Sequence, residues 1–285
     1  MTVFERSENK MLPYAAKNTT CHRTLFLSDL HLGHFASRAD YVIRFLRENP
    51  ADKYVLVGDI LDLWVPRMPV WSAAQMAVLA YFRKRFAEGA QFVYVSGNHD
   101  PHPETAPAAM RLPVNPVSHA VHEAADGRRY LVIHGDGQDV PLFNNARLVS
   151  AGHQIERACT AVEFSIRARA GLAEPQERRA TDYLVSSFNR LRYPRRSYEK
   201  KLATQAQERG LDGVICGHFH QPALREIGNT IYANCGDWIQ NFTAIAEGDD
   251  GDLQLLAFSV SRARNPVFSR RRRQRGIIDG ETRAI

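Results

Sequence analysis

The chain has 285 residues, 44% of them hydrophobic and 24% charged, with a formal net charge of +6 at pH 7. That length holds one large α/β domain with an insertion or two small domains, and the first is the expected arrangement. Charges and a Pro interrupt the first twenty residues, no apolar run reaches membrane-spanning length, and Cys21, Cys159, Cys216 and Cys235 lack metal-site spacing; neither a secretory leader, a membrane span, a disulfide framework nor a cysteine zinc site is therefore expected, and a cytoplasmic location is.

Residues 1–21 read as an N-terminal extension. Short apolar runs then read as buried strands at Leu25–Leu27, Tyr54–Val57, Phe92–Val95, Tyr130–Ile133, Val214–Cys216 and Thr230–Ala233. Helical spacing separates the first of them: Val42, Phe45 and Leu46 share one face over 39–48, and Met76, Leu79, Phe82, Arg83 and Phe86 recur over 72–88, with Gly89 as the stop. Alternation of strand and helix implies a largely parallel sheet. Segments 117–133 and 229–258 read instead as hairpins and meanders, with turns at Asp126-Gly127 and Gly228-Asn229, so a pair of mixed sheets is expected.

Five short motifs each close an apolar run: SDLHLG with Asp29 and His31, GDILD with Asp59, GNHD with Asn98, His99 and Asp100, HGD with His134, and GHFH with His218 and His220. A lone DxH or GNHD is more often a turn or a satisfied polar pair, and GDILD can be a strand end before a helix cap. Five such motifs in order, each at a strand end, point to one crevice, because the carboxyl ends of strands in an open α/β sheet converge there. The two-residue spacing of Asp29 and His31, and of His218 and His220, would aim both members to one side if the segments are extended. Imidazole with carboxylate suits Mn, Fe, Zn or Ni, and two ions about 3.5 to 4 Å apart sharing Asp59 could drive an in-line phosphoryl displacement without a serine nucleophile.

HGD and GHFH are 84 residues apart, and residues 142–209 fill that gap as a helical cap insertion. Its stripes are Leu148, Ile155, Cys159, Val162 and Ile166, then Leu184, Phe188 and Leu191, then Tyr198, Leu202 and Ala206 up to Gly210. The segment carries 13 Lys and Arg against 7 Asp and Glu, and Arg270–Arg273 with Arg275 form a second basic cluster in the tail, 262–285, which reads as disordered. Localised positive charge predicts an anionic partner. No aromatic platform interleaves with that charge, so nucleic acid is not the expected one.

The order DxH, GDxxD, GNHD, HGD, GHxH over residues 24 to 258 resembles the calcineurin-like metallophosphoesterase superfamily. The resemblance implies an α/β four-layer sandwich, two mixed β-sheets flanked by helices, over 22–261. It implies one divalent metal on Asp29, His31, Asp59 and His220, and a second on Asp59, Asn98, His134 and His218. Asn98 and His99 would bind substrate, with His99 at the scissile phosphate and Asp100 orienting its ring. DGRRYLVIHGD, the long insertion before GVICGHFHQP, and YANCGDWI are similar to the branch containing bacterial UDP-2,3-diacylglucosamine pyrophosphatase, a lipid A synthesis enzyme. That branch uses Mn, cleaves a UDP-linked glycolipid to UMP and a lipid sugar phosphate, and has a cap that accommodates acyl chains. The implied partners are a phosphorylated lipid or sugar nucleotide and, through the basic cap and Arg-rich tail, an anionic membrane surface on the cytoplasmic face of the inner membrane. His99 stands where that branch usually has Arg, and 137–142 lacks its acidic pattern, so a related bacterial phosphomonoesterase or phosphodiesterase acting on another lipid or nucleotide stays open.

Overall fold

Period-two alternation along the first strands decides the layering. In β1 (His22–Leu27), Leu25 and Leu27 face one side and Phe26 the other; in β2 (Ala51–Val57), Tyr54 and Leu56 oppose Val55 and Val57. Every one of these side chains is buried, so both faces of the sheet must be covered. The computed structural model describes residues 21–34, 36–63, 71–138 and 195–259. The expected stripes over 148–191, nearly all of the N-terminal extension and the basic tail lie outside the described residues.

One sheet has the order β11-β10-β1-β2-β3-β4, with β3 at Gln91–Val95, β4 at Pro116–Val117, β10 at Thr243–Glu247 and β11 at Leu253–Ala257. Strands β1 to β4 run parallel, while β10 and β11 are antiparallel additions. The second sheet has the order β5-β6-β7-β9-β8, with β5 at Ala120–Glu123, β6 at Arg129–Val132, β7 at Gly213–Cys216, β8 at Ala223–Ile227 and β9 at Thr230–Asn234. Here β6, β7 and β9 are parallel, and hairpins add the two edges.

Between the sheets lie Phe26, Val55, Val57, Val95, Tyr130, Val132, Ile215, Ala233 and Ile245. Each aliphatic or aromatic side chain buried this fully contributes about 1.5–3 kcal/mol. Helices α1 (Ala39–Glu48) and α2 (Ala73–Ala87) cover the outer face of the first sheet through Val42, Phe45, Leu46, Val78, Leu79 and Phe82. A capping box starts α2: Ser72 Oγ accepts from Gln75 N and the Gln75 side chain returns to Ser72 N. The buried face of α2 is rotated from the expected stripe, with Val78 inside and Phe86 43% exposed. Gly89 ends the helix region at φ +97°, as its position after the stripe predicted.

Helix α3 (Arg195–Gln207) is the described part of the expected insertion, and it docks on the second sheet. Its Tyr198, Leu202 and Ala206 pack with Leu131, Val214, Cys216 and Tyr232, so it is the crossover that lets β7 lie parallel to β6. The layers are thus helix, sheet, sheet, helix. The expected hairpins are present, β8 with β9 at the Gly228-Asn229 turn and β10 with β11, but segment 229–258 is divided between the two sheets. Strand β9 belongs to the second sheet and β10 to the first, because the chain crosses the sandwich at 235–242.

Candidate metal centre

Strands β1, β2 and β3 of the first sheet and β6, β7 and β9 of the second end at the same edge of the sandwich. Asp29 and His31 follow β1, Asp59 follows β2, Asn98 follows β3, His134 follows β6, and His218 and His220 follow β7. Strand direction alone therefore collects all seven expected ligands. Among the described residues, three groups bring one donor atom each within 4.8 Å of one another: Asp29, His31 and His220; Asp59, His134 and His218; and His31, Asp62 and His99.

Asp59 stands between the first two groups. Its Oδ2 is 3.9 Å from His31 Nε2 and 3.3 Å from His134 Nε2. Asp29 Oδ1 lies 3.2 Å from His220 Nε2 and 3.9 Å from His31 Nε2. Asn98 joins through Oδ1, 3.2 Å from His134 Nε2. His134 Nδ1 faces the Val57 carbonyl at 2.9 Å, which favours a proton on Nδ1 and turns the Nε2 lone pair to the centre. The backbone N–H of His218 donates to Asp29 Oδ2 at 3.0 Å.

These residues fit divalent ions. Asp29 and His31 are 0% and 4% exposed, yet Asp29 Oδ1 and His31 Nε2 make no hydrogen bond. A buried carboxylate oxygen left unmade costs several kcal/mol, and the donor spacings of 3.2 to 3.9 Å suit atoms that share an ion at about 2.0–2.2 Å better than atoms sharing a proton. The electrostatics agree. Burial opposes charge on His134, but Asp59 and Asp29 overcome it and hold the imidazole protonated well above its usual range. Burial likewise works against His220, which Asp237 and Asp29 raise to about 9. A divalent cation would take the place of those protons, so binding should release them. His31 goes the other way, lowered to about 3 by burial and then by its cationic neighbour His99.

The backbone does something the strand pattern did not predict. Asp29, His31, Asp59, His218 and His220 all lie in the left-handed region, with φ between +46° and +65°, and they are five of the six such non-glycine residues among those described. An extended segment was expected to aim each DxH and HxH pair; instead successive left-handed turns do so. Such conformations cost about 1–3 kcal/mol each and persist where the surroundings enforce them. Here the loops after β1 and β2 clasp each other: Asp29 N donates to Gly58 O, His31 N to Asp59 O and Leu32 N to Ile60 O at 2.9–3.1 Å. Gly97 and Gly217 are needed for a different reason, because a Cβ at either would collide with the carboxylate of Asp59 or Asp29.

His99 is 8% exposed, with Nε2 4.0 Å from Asp59 Oδ2, so it borders the second group and is not buried away from it. Burial disfavours its charge, but Asp59 and Asp62 raise it to about 9. Its ring is oriented by Asp62, whose Oδ1 is 3.5 Å from His99 Nδ1, and not by Asp100 as expected. Asp100 is fully buried and both its oxygens are taken. Oδ1 accepts from Asp59 N and Gly97 N, and Oδ2 from Ile60 N, Leu61 N and the Tyr94 hydroxyl. It therefore shapes the loop that carries Asp59. The sequence marks Asp62, the last letter of GDILD, as a support beside Asp59, but its partner was not legible.

The end of β9 and the loop after it support the site. Asn234 Nδ2 donates to Gly217 O at 3.0 Å, and Asp237 Oδ1 accepts from Ile239 N and Gln240 N. Asn241 Nδ2 holds the His220 carbonyl at 2.9 Å. Together they fix the GHFH loop.

Among known families, the one described as calcineurin-like phosphoesterase matches residues 22–222. A search of curated proteins found no match. Similar solved structures include Yfce, a phosphoesterase from E. coli, at 15% identity and TM-score 0.39, covering 83% of this chain and 99% of that one. A novel archaeal phosphodiesterase is 13% identical with TM-score 0.41, covering 82% and 98%. Wild-type Vps29 complexed with zinc, from Entamoeba histolytica, is 12% identical with TM-score 0.39, covering 83% and 99%. Scores of this size single out none of them as a functional counterpart.

Proposed function

Because the chain belongs to the calcineurin-like phosphoesterase family, whose members are metal-dependent phosphoester hydrolases with dinuclear centres, we propose that it hydrolyses a pyrophosphate in a UDP-linked glycolipid. The observation that carries the hydrolytic reading is the convergence of seven donors around buried oxygen and nitrogen atoms that lack hydrogen bonds. In this reading Asp29, His31, Asp59 and His220 hold one divalent ion, and Asp59, Asn98, His134 and His218 hold the other. Such ions, Mn by preference and Fe, Zn or Ni by donor chemistry, supply an acidified water and screen charge on the phosphoryl group.

The chain's own residues do the rest. Asn98 and His99 border the space where a phosphoryl group would enter. His99, held cationic by Asp59 and Asp62, stabilises negative charge on the leaving oxygen or delivers it a proton. Asp62 keeps the ring aimed. Asp100 is a positioning residue for Asp59 and touches no reacting atom.

The glycolipid assignment is supported by the segments DGRRYLVIHGD, GVICGHFHQP and YANCGDWI and by the basic charge of 142–209, which would draw the protein to an anionic bilayer. No helix among the described residues is long and apolar enough to cross a membrane. His99 favours a second reading, a phosphomonoesterase or phosphodiesterase acting on another lipid or nucleotide. Purified protein loaded with Mn should release UMP from UDP-2,3-diacylglucosamine. Hydrolysis of bis(p-nitrophenyl) phosphate without UMP release selects the second reading, and no hydrolysis of either with any divalent metal overturns both.

A further inference from the structure

The first sheet has a cavity at the end away from the metal centre, where β1, β2 and β3 begin. Its volume is about 460 Å³, and Arg23, Lys53, Arg85, His122 and Glu123 are among its walls. Along β2 it lies roughly 13 Å from the strand end that leads to Asp59. A hydrogen-bonded row runs behind it. Lys53 Nζ is 3.3 Å from His122 Nδ1, and His122 Nε2 is 2.8 Å from Glu247 Oε2. Glu247 Oε1 accepts from Ala125 N at 2.9 Å. His122 and Glu247 are 3% and 0% exposed, while Lys53 is half-buried.

Lys53 and Glu247 come from the first sheet and His122 from the second, so the row ties the sandwich together. A tie alone would be served by a direct Lys–Glu ion pair. Here an imidazole separates the two, and among the described residues the Lys53 ammonium meets no carboxylate at ion-pair distance. Arg23 takes that position, with Nη1 3.7 Å from Glu247 Oε1. Asp52 and Glu88 also line the cavity, but the Glu88 carboxylate pairs with Arg85 and Lys84. Burial pushes the Lys53 pKa down and Arg23 adds to this, against the opposing pull of Glu247. The three other described lysines differ: Lys84 has a 73% exposed side chain, and Lys200 and Lys201 are exposed.

We propose that Lys53 is an activated amine and a site of covalent acylation by small acyl phosphates, with His122 as its base. The lone pair of the neutral Nζ forms the new C–N bond, and the bond between the carbonyl carbon and the bridging oxygen breaks. Phosphate leaves with that electron pair. The amine proton passes to His122 Nδ1, where Glu247 balances the imidazolium, and then to the departing phosphate. Arg23 and Arg85 on the cavity wall face that anion. Desolvated lysines next to cationic groups are activated in this way.

Incubating the full chain with acetyl phosphate, then quantifying acetylation by peptide mass spectrometry, tests the assignment. Lys53 should react several-fold faster than Lys84, Lys200 and Lys201, because burial and Arg23 disfavour its charged form. Its rate should also reach half-maximum at lower pH than theirs. The His122→Gln variant should lose that advantage with an unchanged circular dichroism spectrum. A wild-type Lys53 that reacts no faster than the exposed lysines overturns the proposal whether or not the variant folds. A folded variant with the wild-type rate overturns the role of His122.

Discussion

Replacing Asp100 by Asn tests whether this carboxylate builds the Asp59 loop. Five donors converge on its two oxygens: Asp59 N and Gly97 N on Oδ1, and Ile60 N, Leu61 N and the Tyr94 hydroxyl on Oδ2. An amide offers one oxygen. Turned to serve the larger group, it leaves its NH₂ against the N–H groups of Asp59 and Gly97, and each buried donor without an acceptor costs about 1–3 kcal/mol. The gross loss is about 2–6 kcal/mol. Burial and the nearby Asp59 charge raise the Asp100 pKa, so removing its charge recovers part of this, and a net loss of about 2–4 kcal/mol is expected. At roughly 2–4 °C per kcal/mol, the melting temperature should fall by roughly 5–15 °C. Calorimetry in chelator measures this without metal linkage, and Tyr94→Phe, which removes one donor of five, should lose only about 1 kcal/mol. If Asp100→Asn melts within about a degree of wild type, the carboxylate is not what organises the loop.

The remaining predictions concern chemistry and pH. Asp59→Asn should lower bound metal below two ions per chain by elemental analysis and abolish hydrolysis, with the sheet signature in circular dichroism retained; full activity would refute the shared-ligand assignment. His99→Gln should reduce kcat by about 10²–10⁴ at unchanged metal content, the usual worth of a positioned acid or charge stabiliser. Asp62→Asn should cost less than His99→Gln and shift the pH profile, because it alters the ring's protonation without removing it. Glu247 is disfavoured by burial, but His122 and Ala125 N hold its pKa below the usual 4.5. A carboxyl with a depressed folded pKa stabilises the protein at neutral pH, and that contribution is lost as pH falls through its folded value. Acid unfolding should therefore start at higher pH when the group cannot contribute. Stability curves for wild type and Glu247→Gln should converge below about pH 4; parallel curves from pH 7 to 3 would contradict this.

The motif residues were readable because each sits within four positions of the end of an apolar run, and a run of Val, Leu and Tyr marks a strand end whatever its neighbours. Partner identity was not readable in the same way. Asp62 and Asp100 both follow a metal-motif residue closely, and only the side-chain directions reveal that one faces His99 while the other faces backbone amides. The rotation of α2 has a similar origin: Met76 and Phe86 fit the helical period as well as Val78 does, and the position of the first sheet selects among them. The switch of the chain between sheets at 235–242 left no periodic trace, since β9 and β10 are both short apolar strands.

Sequence alone determined the element types, the pairing of hard oxygen with imidazole donors, and hence the class of chemistry, because these follow from local period and residue type. The tertiary structure decided what depends on convergence. It set which sheet each strand joins, the left-handed turns that aim five ligands inward, and the network that gives Asp62 and Asp100 different tasks. Those outcomes arise from contacts between residues far apart in the chain, and no local pattern encodes them.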